Sequence, residues 1–265
     1  MASGDIDQED LLGFGNFNLG EDDADDPSAM SLVDHLEELR WRILKSLIAI
    51  AVGSLIAFIF RDYIIHFLEA PLPRASDMVK LTGGRLVVTG LTEGFTVYLL
   101  ISFACGVILS LPVLLYQTWA FIEPGLYEKE RKHAVPFILI GVVLFCIGVS
   151  IGYIVLRFPV EWLVEFASSS FAELISAGSY FTFVAFFILA FGLVFELPLV
   201  LTFLAQVGLV TSDTLKKRRA SSHIGMWIAS TFLTPGADIY SPIILGASMS
   251  FLYELTIVFI RFIKK

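Results

Sequence analysis

What most constrains this chain is an alternation: from Ile43 to Ile260, apolar runs of bilayer-crossing length are separated by short clusters of charge. A hydrocarbon core takes about 20 apolar residues as a helix. The runs 43–60, 95–121, 134–156, 179–205, 220–235 and 239–260 are therefore read as transmembrane helices. Lipid offers no partner to a backbone amide, so helices satisfy these segments and open sheet edges do not. Pro112, inside the second run, is expected to kink its helix rather than end it. Pro136 falls in the first turn of the third, where a missing N–H costs little. The stretch Leu174 to Ser212 holds one charge, Glu196, and is either one long helix or a hairpin of two.

Composition agrees with a lipid solvent. Of 265 residues 56% are hydrophobic and 17% charged, and the mean hydropathy is +0.79. In water such a chain would expose large apolar patches. Disorder, a disulfide scaffold and an ordinary soluble core are excluded. The net charge of −8 belongs to one end. Residues 1–30 carry Asp5, Asp7, Glu9, Asp10, Glu21, Asp22, Asp23, Asp25 and Asp26 and no Lys or Arg. Removing those nine from 26 acids leaves 17 against 18 bases, a net of +1. Residues 1–30 are read as a disordered acidic tail, a solvated extension, and 31–265 as the membrane domain. The tail lacks the basic start of a secretory or transit peptide. Met30, where the composition changes, is an alternative start.

The distribution of bases orients the spans. With one helix across 179–205, six spans put both termini on one side. That side then holds Arg40, Arg42, Lys45, Lys129, Arg131, Lys132, Lys216, Lys217, Arg218, Arg219, Arg261, Lys264 and Lys265, or 13 bases. The other holds Arg61, Arg74, Lys80, Arg85 and Arg157, or 5. A hairpin at Glu196 would instead send the Lys216 to Arg219 cluster outside and remove that bias. Six spans with both termini cytoplasmic is the expected topology. The fifth span is short, with 16 residues between Arg219 and Gly236, and predicts a locally thinned bilayer. The longer outer segments are 61–94 and 157–178. The second, with Trp162, Leu163 and Phe166 beside Glu161 and Glu165, suits an interfacial helix or a helical extension, and both are expected to cap the outer face.

Enzymatic groups are absent. Cys105 and Cys146 lie in different spans, without Cys-x-x-Cys spacing, and are expected to be buried packing thiols. His35, His66, His133 and His223 stand singly, without metal-ligand spacing, so no metal and no cofactor is expected. Gly148-Val149-Ser150-Ile151-Gly152 matches G-x-S-x-G but lacks the strand-to-helix elbow that motif needs. The same residues form G-x-x-x-G, which brings helix backbones close together.

The carboxylates are more informative. In Asp34-His35-Leu36-Glu37-Glu38-Leu39-Arg40-Trp41-Arg42, Leu36, Leu39 and Ile43 recur at helical spacing, so an amphipathic helix at the interface is expected. Glu123-Pro124-Gly125-Leu126-Tyr127-Glu128-Lys129-Glu130-Arg131-Lys132 puts acids into a loop where topology needs only bases. Carboxylates on two cytoplasmic elements suit a cationic peptide, since guanidinium pairs bidentately with carboxylate. Glu196, followed by Pro198, is an intramembrane carboxylate, costly at about 2.5–3.5 kcal/mol and hence a functional candidate.

These clusters, in this order, resemble the TatC family, the polytopic subunit of the twin-arginine protein translocase. The likeness runs from about Ser31 to Lys265. It rests on His35-Leu36-Glu37-Glu38-Leu39-Arg40, on Ala70-Pro71-Leu72, on Leu114 to Arg131 with its Tyr116-Gln117-Thr118-Trp119-Ala120-Phe121 core, on Phe191-Gly192-Leu193-Val194-Phe195-Glu196-Leu197-Pro198, and on Leu233-Thr234-Pro235. The resemblance implies a six-helix, cup-like, non-enzymatic protein of the cytoplasmic (inner) membrane of a prokaryote, which binds the twin-arginine signal peptides of folded cargo at the cytoplasmic face. It also implies assembly with TatA/TatB-like single-span subunits, in several copies, for transport driven by the proton-motive force; no nucleic acid is expected as a partner. By resemblance, Glu38 and Glu130 match the signal-binding acids, and Arg40, Phe121, Arg131 and Lys132 share their motifs. Glu196 matches an acid that contacts partner subunits, and Pro71 a proline of the outer cap. Asp238 lies in an outer turn, Thr234-Pro235-Gly236-Ala237-Asp238, one residue longer than the family's usual Thr-Pro-Pro-Asp. The competing reading is a small-solute transporter with Glu196 as proton carrier, against which no internal repeat is evident.

Overall fold

The structure is a computed structural model that describes residues 32–73, 82, 85–123, 134–168, 174–236 and 238–263. The chain divides into two units, 1–40 and 41–265. Ten helices are described: α1 (Leu32–Ile59), α2 (Arg61–Leu68), α3 (Glu93–Ile122), α4 (Ala134–Val155), α5 (Arg157–Ser168), α6 (Ala177–Val194), α7 (Leu197–Gln206), α8 (Ser212–Lys217), α9 (Arg219–Leu233) and α10 (Tyr240–Ile263). Among the described residues there is no strand, only an isolated parallel bridge between Val87 and Ser176.

Among the described residues five segments are long and apolar enough to cross a membrane: His35–Ile59, Glu93–Ile122, Val135–Phe166, Ala177–Gln206 and Tyr240–Phe262. The expected span at 220–235 is α9, whose 15 residues reach only about 22 Å at 1.5 Å per residue, short of a core of about 30 Å. Pro112 lies within an unbroken α3. Residues 34–42, expected to be helical, form the start of α1, with no Gly or Pro between them and the first span. At 157–168 the alternative of a helical extension is the one seen, because α5 follows α4 across Leu156 alone.

In the second unit α6 is the central element and packs chiefly on α4 and α3. Phe187 and Phe191 are wholly buried in it, as is Phe145 on α4. Small residues let the backbones meet: a Cβ on Gly148 would lie 2.7 Å from the Phe191 carbonyl oxygen, and one on Gly152 would lie 2.8 Å from Phe191 Cβ. The G-x-x-x-G is therefore a packing face. From residue 41 onward α1 buries only Gly53 and Ala57. It meets α3 where a Cβ on Gly106 would lie 2.2 Å from Ser54 Oγ.

The cysteines correct the sequence reading, since Cys146 is exposed and Cys105 only half-buried. In lipid an apolar side chain gains little by turning inward, so the outward face of α4 holds a thiol as readily as its packed face does.

Two ends of this unit can be told apart. At the α2 end, Tyr153 on α4 and Tyr180 on α6 donate from their hydroxyls to the carbonyls of Phe67 at 2.8 Å and Leu68 at 2.7 Å. These bonds satisfy carbonyls of the last turn of α2. Phe67 also stacks on Tyr153 at 4.3 Å between ring centroids. On α5, Arg157 pairs with Glu161, and Trp162 stacks on Phe166 and packs on Tyr240 at the start of α10. At the α8 end, Tyr253 on α10 donates to the Leu215 carbonyl at 2.9 Å. Trp119, Phe137 and Phe203 join α3, α4 and α7 there in an aromatic cluster.

Candidate functional site

The break between α6 and α7 follows from Pro198. It lies in the first turn of α7 and has no N–H to donate back to Val194, so the long span gives way at Phe195 and Glu196. The amide of Glu196 instead donates three residues back, to Leu193 at 3.1 Å, and the Val200 amide restores the helix by donating to the Glu196 carbonyl at 3.0 Å. The tightened step aims the Glu196 side chain at Gly141 on α4. A Cβ there would lie 3.3 Å from Glu196 Oε2, 2.9 Å from Leu199 Cδ2 and 2.7 Å from Leu115 Cδ1. Both carboxylate oxygens are buried, and among the described residues no group bonds to either. A carboxylate among Leu115, Gly141 and Leu199 receives no compensation from its neighbours, which is costly for an ion and leaves both oxygens available to an incoming donor.

Beside this break runs an apolar groove of about 470 Å³ between α4, α7 and α10, lined by Phe137, Ile140, Pro198, Phe203, Leu255 and Phe259 among others. The indole N–H of Trp119, behind Phe137 and Phe203, is also buried without an acceptor among the described residues.

The other expected site residues fall as follows. In the first unit, His35 Nδ1 lies 3.8 Å from Glu38 Oε2 within one helical turn, and Arg40 is exposed. In the second, Phe121 is half-buried at the end of α3, while Arg42 donates to Gln117 Oε1 at 3.4 Å. Glu130, Arg131 and Lys132 lie outside the described residues. Pro71 is half-buried just beyond the tyrosine-held end of α2. Asp238 is buried, and its Oδ1 accepts from the Ser241 amide at 2.6 Å, satisfying an orphan donor in the first turn of α10.

Two acids escaped the sequence reading. Glu254, within α10, pairs with Arg219 Nη2 at 2.6 Å and lies 3.1 Å from His223 Nε2, tying the start of α9 to α10. The reasoning that marked Glu196, a lone acid in an apolar run, would have marked it too. Glu93 lies just ahead of the second apolar run, 95–121, where a charge is ordinary. In the structure its Oε2 accepts from the Thr89 amide at 2.5 Å, the Thr89 hydroxyl at 2.8 Å and the Gly90 amide at 3.0 Å. Its Oε1 accepts from the Ser176 hydroxyl at 2.5 Å and the Gly178 amide at 2.7 Å.

The family described as Sec-independent protein translocase protein (TatC) matches residues 34–247. A Sec-independent protein translocase protein TatC of Desulforapulum autotrophicum is 39% identical over 233 residues, 88% of this chain and 84% of the relative. That of Carboxydothermus hydrogenoformans is 35% identical over 236 residues, 89% and 94% of the two chains. A crystal structure of the twin-arginine translocase receptor TatC superposes with a TM-score of 0.73 at 32% identity, covering 85% of this chain and 99% of that one.

Proposed function

The chain belongs to the TatC family of Sec-independent protein translocases, and from that premise we propose that it is the receptor subunit that takes up twin-arginine signal peptides of folded cargo. It is a non-enzymatic membrane protein of the prokaryotic inner membrane. The observation that carries this is the family match across residues 34–247, which takes in the His35 to Arg40 motif, the loop with Glu130 and the Glu196 break.

The recognition chemistry we propose is bidentate pairing of the two signal arginines with Glu38 and Glu130, strengthened where water is scarce near the headgroups. Arg40, Phe121, Arg131 and Lys132 flank those acids in their motifs and shape their surroundings. Glu196, unbonded by its neighbours, is the proposed contact for a single-span TatA/TatB-like subunit, for which a polar side chain on the partner would supply the missing donor. Pro71 and Asp238 belong to the outer cap on this reading. The arrangement is six spans in a cup with both termini cytoplasmic, α9 being a short fifth crossing under a thinned bilayer. Several copies act together with the single-span subunits, driven by the proton-motive force.

The test is photo-crosslinking of a twin-arginine peptide to the detergent-solubilised full chain. The peptide is expected to crosslink and its twin-lysine variant to fail, because an ammonium does not reproduce the guanidinium fork. Glu130→Gln or Glu38→Gln is expected to abolish the crosslink while the protein still inserts. Unchanged crosslinking with both replaced overturns the assignment.

A further inference from the structure

Glu93 stands at the first turn of α3, and each of its oxygens meets donors only. Oε2 takes three bonds from Thr89 and Gly90, just ahead of its own helix, and Oε1 takes two from Ser176 and Gly178 at the first turn of α6. First-turn amides have no partner within their helix, so this one carboxylate satisfies such a donor at the start of α6 together with two amides of the turn that leads into α3. The fit is close, since a Cβ on Gly178 would lie 2.8 Å from Oε1. Beside it, Val87 and the start of α6 exchange backbone bonds, Val87 N to Ile175 O at 3.0 Å and Ala177 N to Val87 O at 2.8 Å.

Beside the far end of α6 stands Glu196. Between them α6 is unbroken for 18 residues, about 27 Å, and it buries Tyr180, Phe181, Val184, Phe187, Ile188 and Phe191 along its length. A helix packed in this way moves as a rod, because a close-packed interior transmits displacement rather than absorbing it.

We propose that Glu93 is a positioning residue for Glu196: by fastening the first turn of α6 to that of α3 it sets the axial register of α6, and so the depth at which Glu196 faces Gly141. The inference rests on Glu196 being the working carboxylate proposed above. Glu93 itself lies at the opposite end of α6, so it acts on Glu196 through the packed helices and not by contact.

The measurement is the rate at which dicyclohexylcarbodiimide, an apolar carboxyl reagent, modifies Glu196 in the full chain, read by peptide mass spectrometry. Glu254, on a helix Glu93 does not bond, is the internal reference. Two variants loosen the clasp differently. In Glu93→Gln an amide NH2 faces donors whichever way it flips. Gly178→Ala keeps the charge and crowds Oε1. Both are expected to change the ratio of Glu196 to Glu254 labelling by about fivefold or more, since loss of a charge-assisted bond moves an equilibrium by roughly tenfold. Alkylation of Glu196→Cys by N-ethylmaleimide, in a Cys105→Ala, Cys146→Ser background, reads the same register without carbodiimide chemistry. An unchanged ratio and unchanged alkylation in both folded variants overturn the proposal. If the ratio shifts while Glu196→Gln transports cargo normally, the positioning stands and the role of Glu196 falls. If Glu196→Gln abolishes transport and the ratio does not move, the reverse holds.

Discussion

A glutamate stands beside each end of α6, and the two are opposites. Glu93 receives five hydrogen bonds at the start of the helix; Glu196, at its far end, receives none from any described residue. The residue type is the same, so the difference lies in what the backbone presents. At the α2 end two pieces of chain, a turn at Thr89 and Gly90 and the start of α6, aim their amides at one carboxylate. At the other end Pro198 removes a donor from the place where one is missing. A carboxylate given every partner builds the scaffold, and one given none has both oxygens left to accept.

The contrast breaks most completely if the packing behind Glu196 gives way. Gly148→Leu drives a side chain into the Phe191 carbonyl and the Phe195 ring, and is expected to cost about 3 kcal/mol or more. Thermal unfolding in detergent checks this, and a variant as stable as the parent would show that the end of α6 is not held by close approach. At the bonded end, Tyr180→Phe leaves the buried Leu68 carbonyl without its donor and is expected to cost about 1–3 kcal/mol. Tyr153→Phe, whose hydroxyl is more exposed, is expected to cost about 1 kcal/mol. Arg219→Gln removes a half-exposed ion pair, and about 0.5 kcal/mol is expected in the same assay. Glu196→Gln sharpens the contrast by moving stability least. With no bond to lose, the neutral isostere is expected to unfold within about 0.5 kcal/mol of the parent or later, while cargo export falls. A clear loss of stability would mean that the carboxylate has a structural partner after all.

The spans were legible because lipid imposes a length and a polarity on any segment that crosses it. The shortness of α9 was visible as the distance from Arg219 to Gly236, and the Gly148/Gly152 face as spacing. Glu196 stood out because a charge in an apolar run has few innocent explanations. Glu93 did not, because a charge at a run's edge is ordinary, and its informative partners, Ser176 and Gly178, lie 83 and 85 residues away. The link from Glu254 to His223 spans 31 residues and was hidden in the same way. The exposure of Cys146 was illegible for a different reason: a helix apolar all round carries no period from which to tell its packed face from its lipid face.

The Glu93 clasp also leaves a trace in time. The amides of Thr89, Gly90 and Gly178 sit at an exposed rim or in a first helical turn, where exchange with solvent deuterium is ordinarily fast. Each here donates to a carboxylate, so each exchanges only when the clasp opens. Three slow amides in an otherwise fast-exchanging rim would therefore serve as a clock for the opening of this end of the protein, readable with the membrane intact.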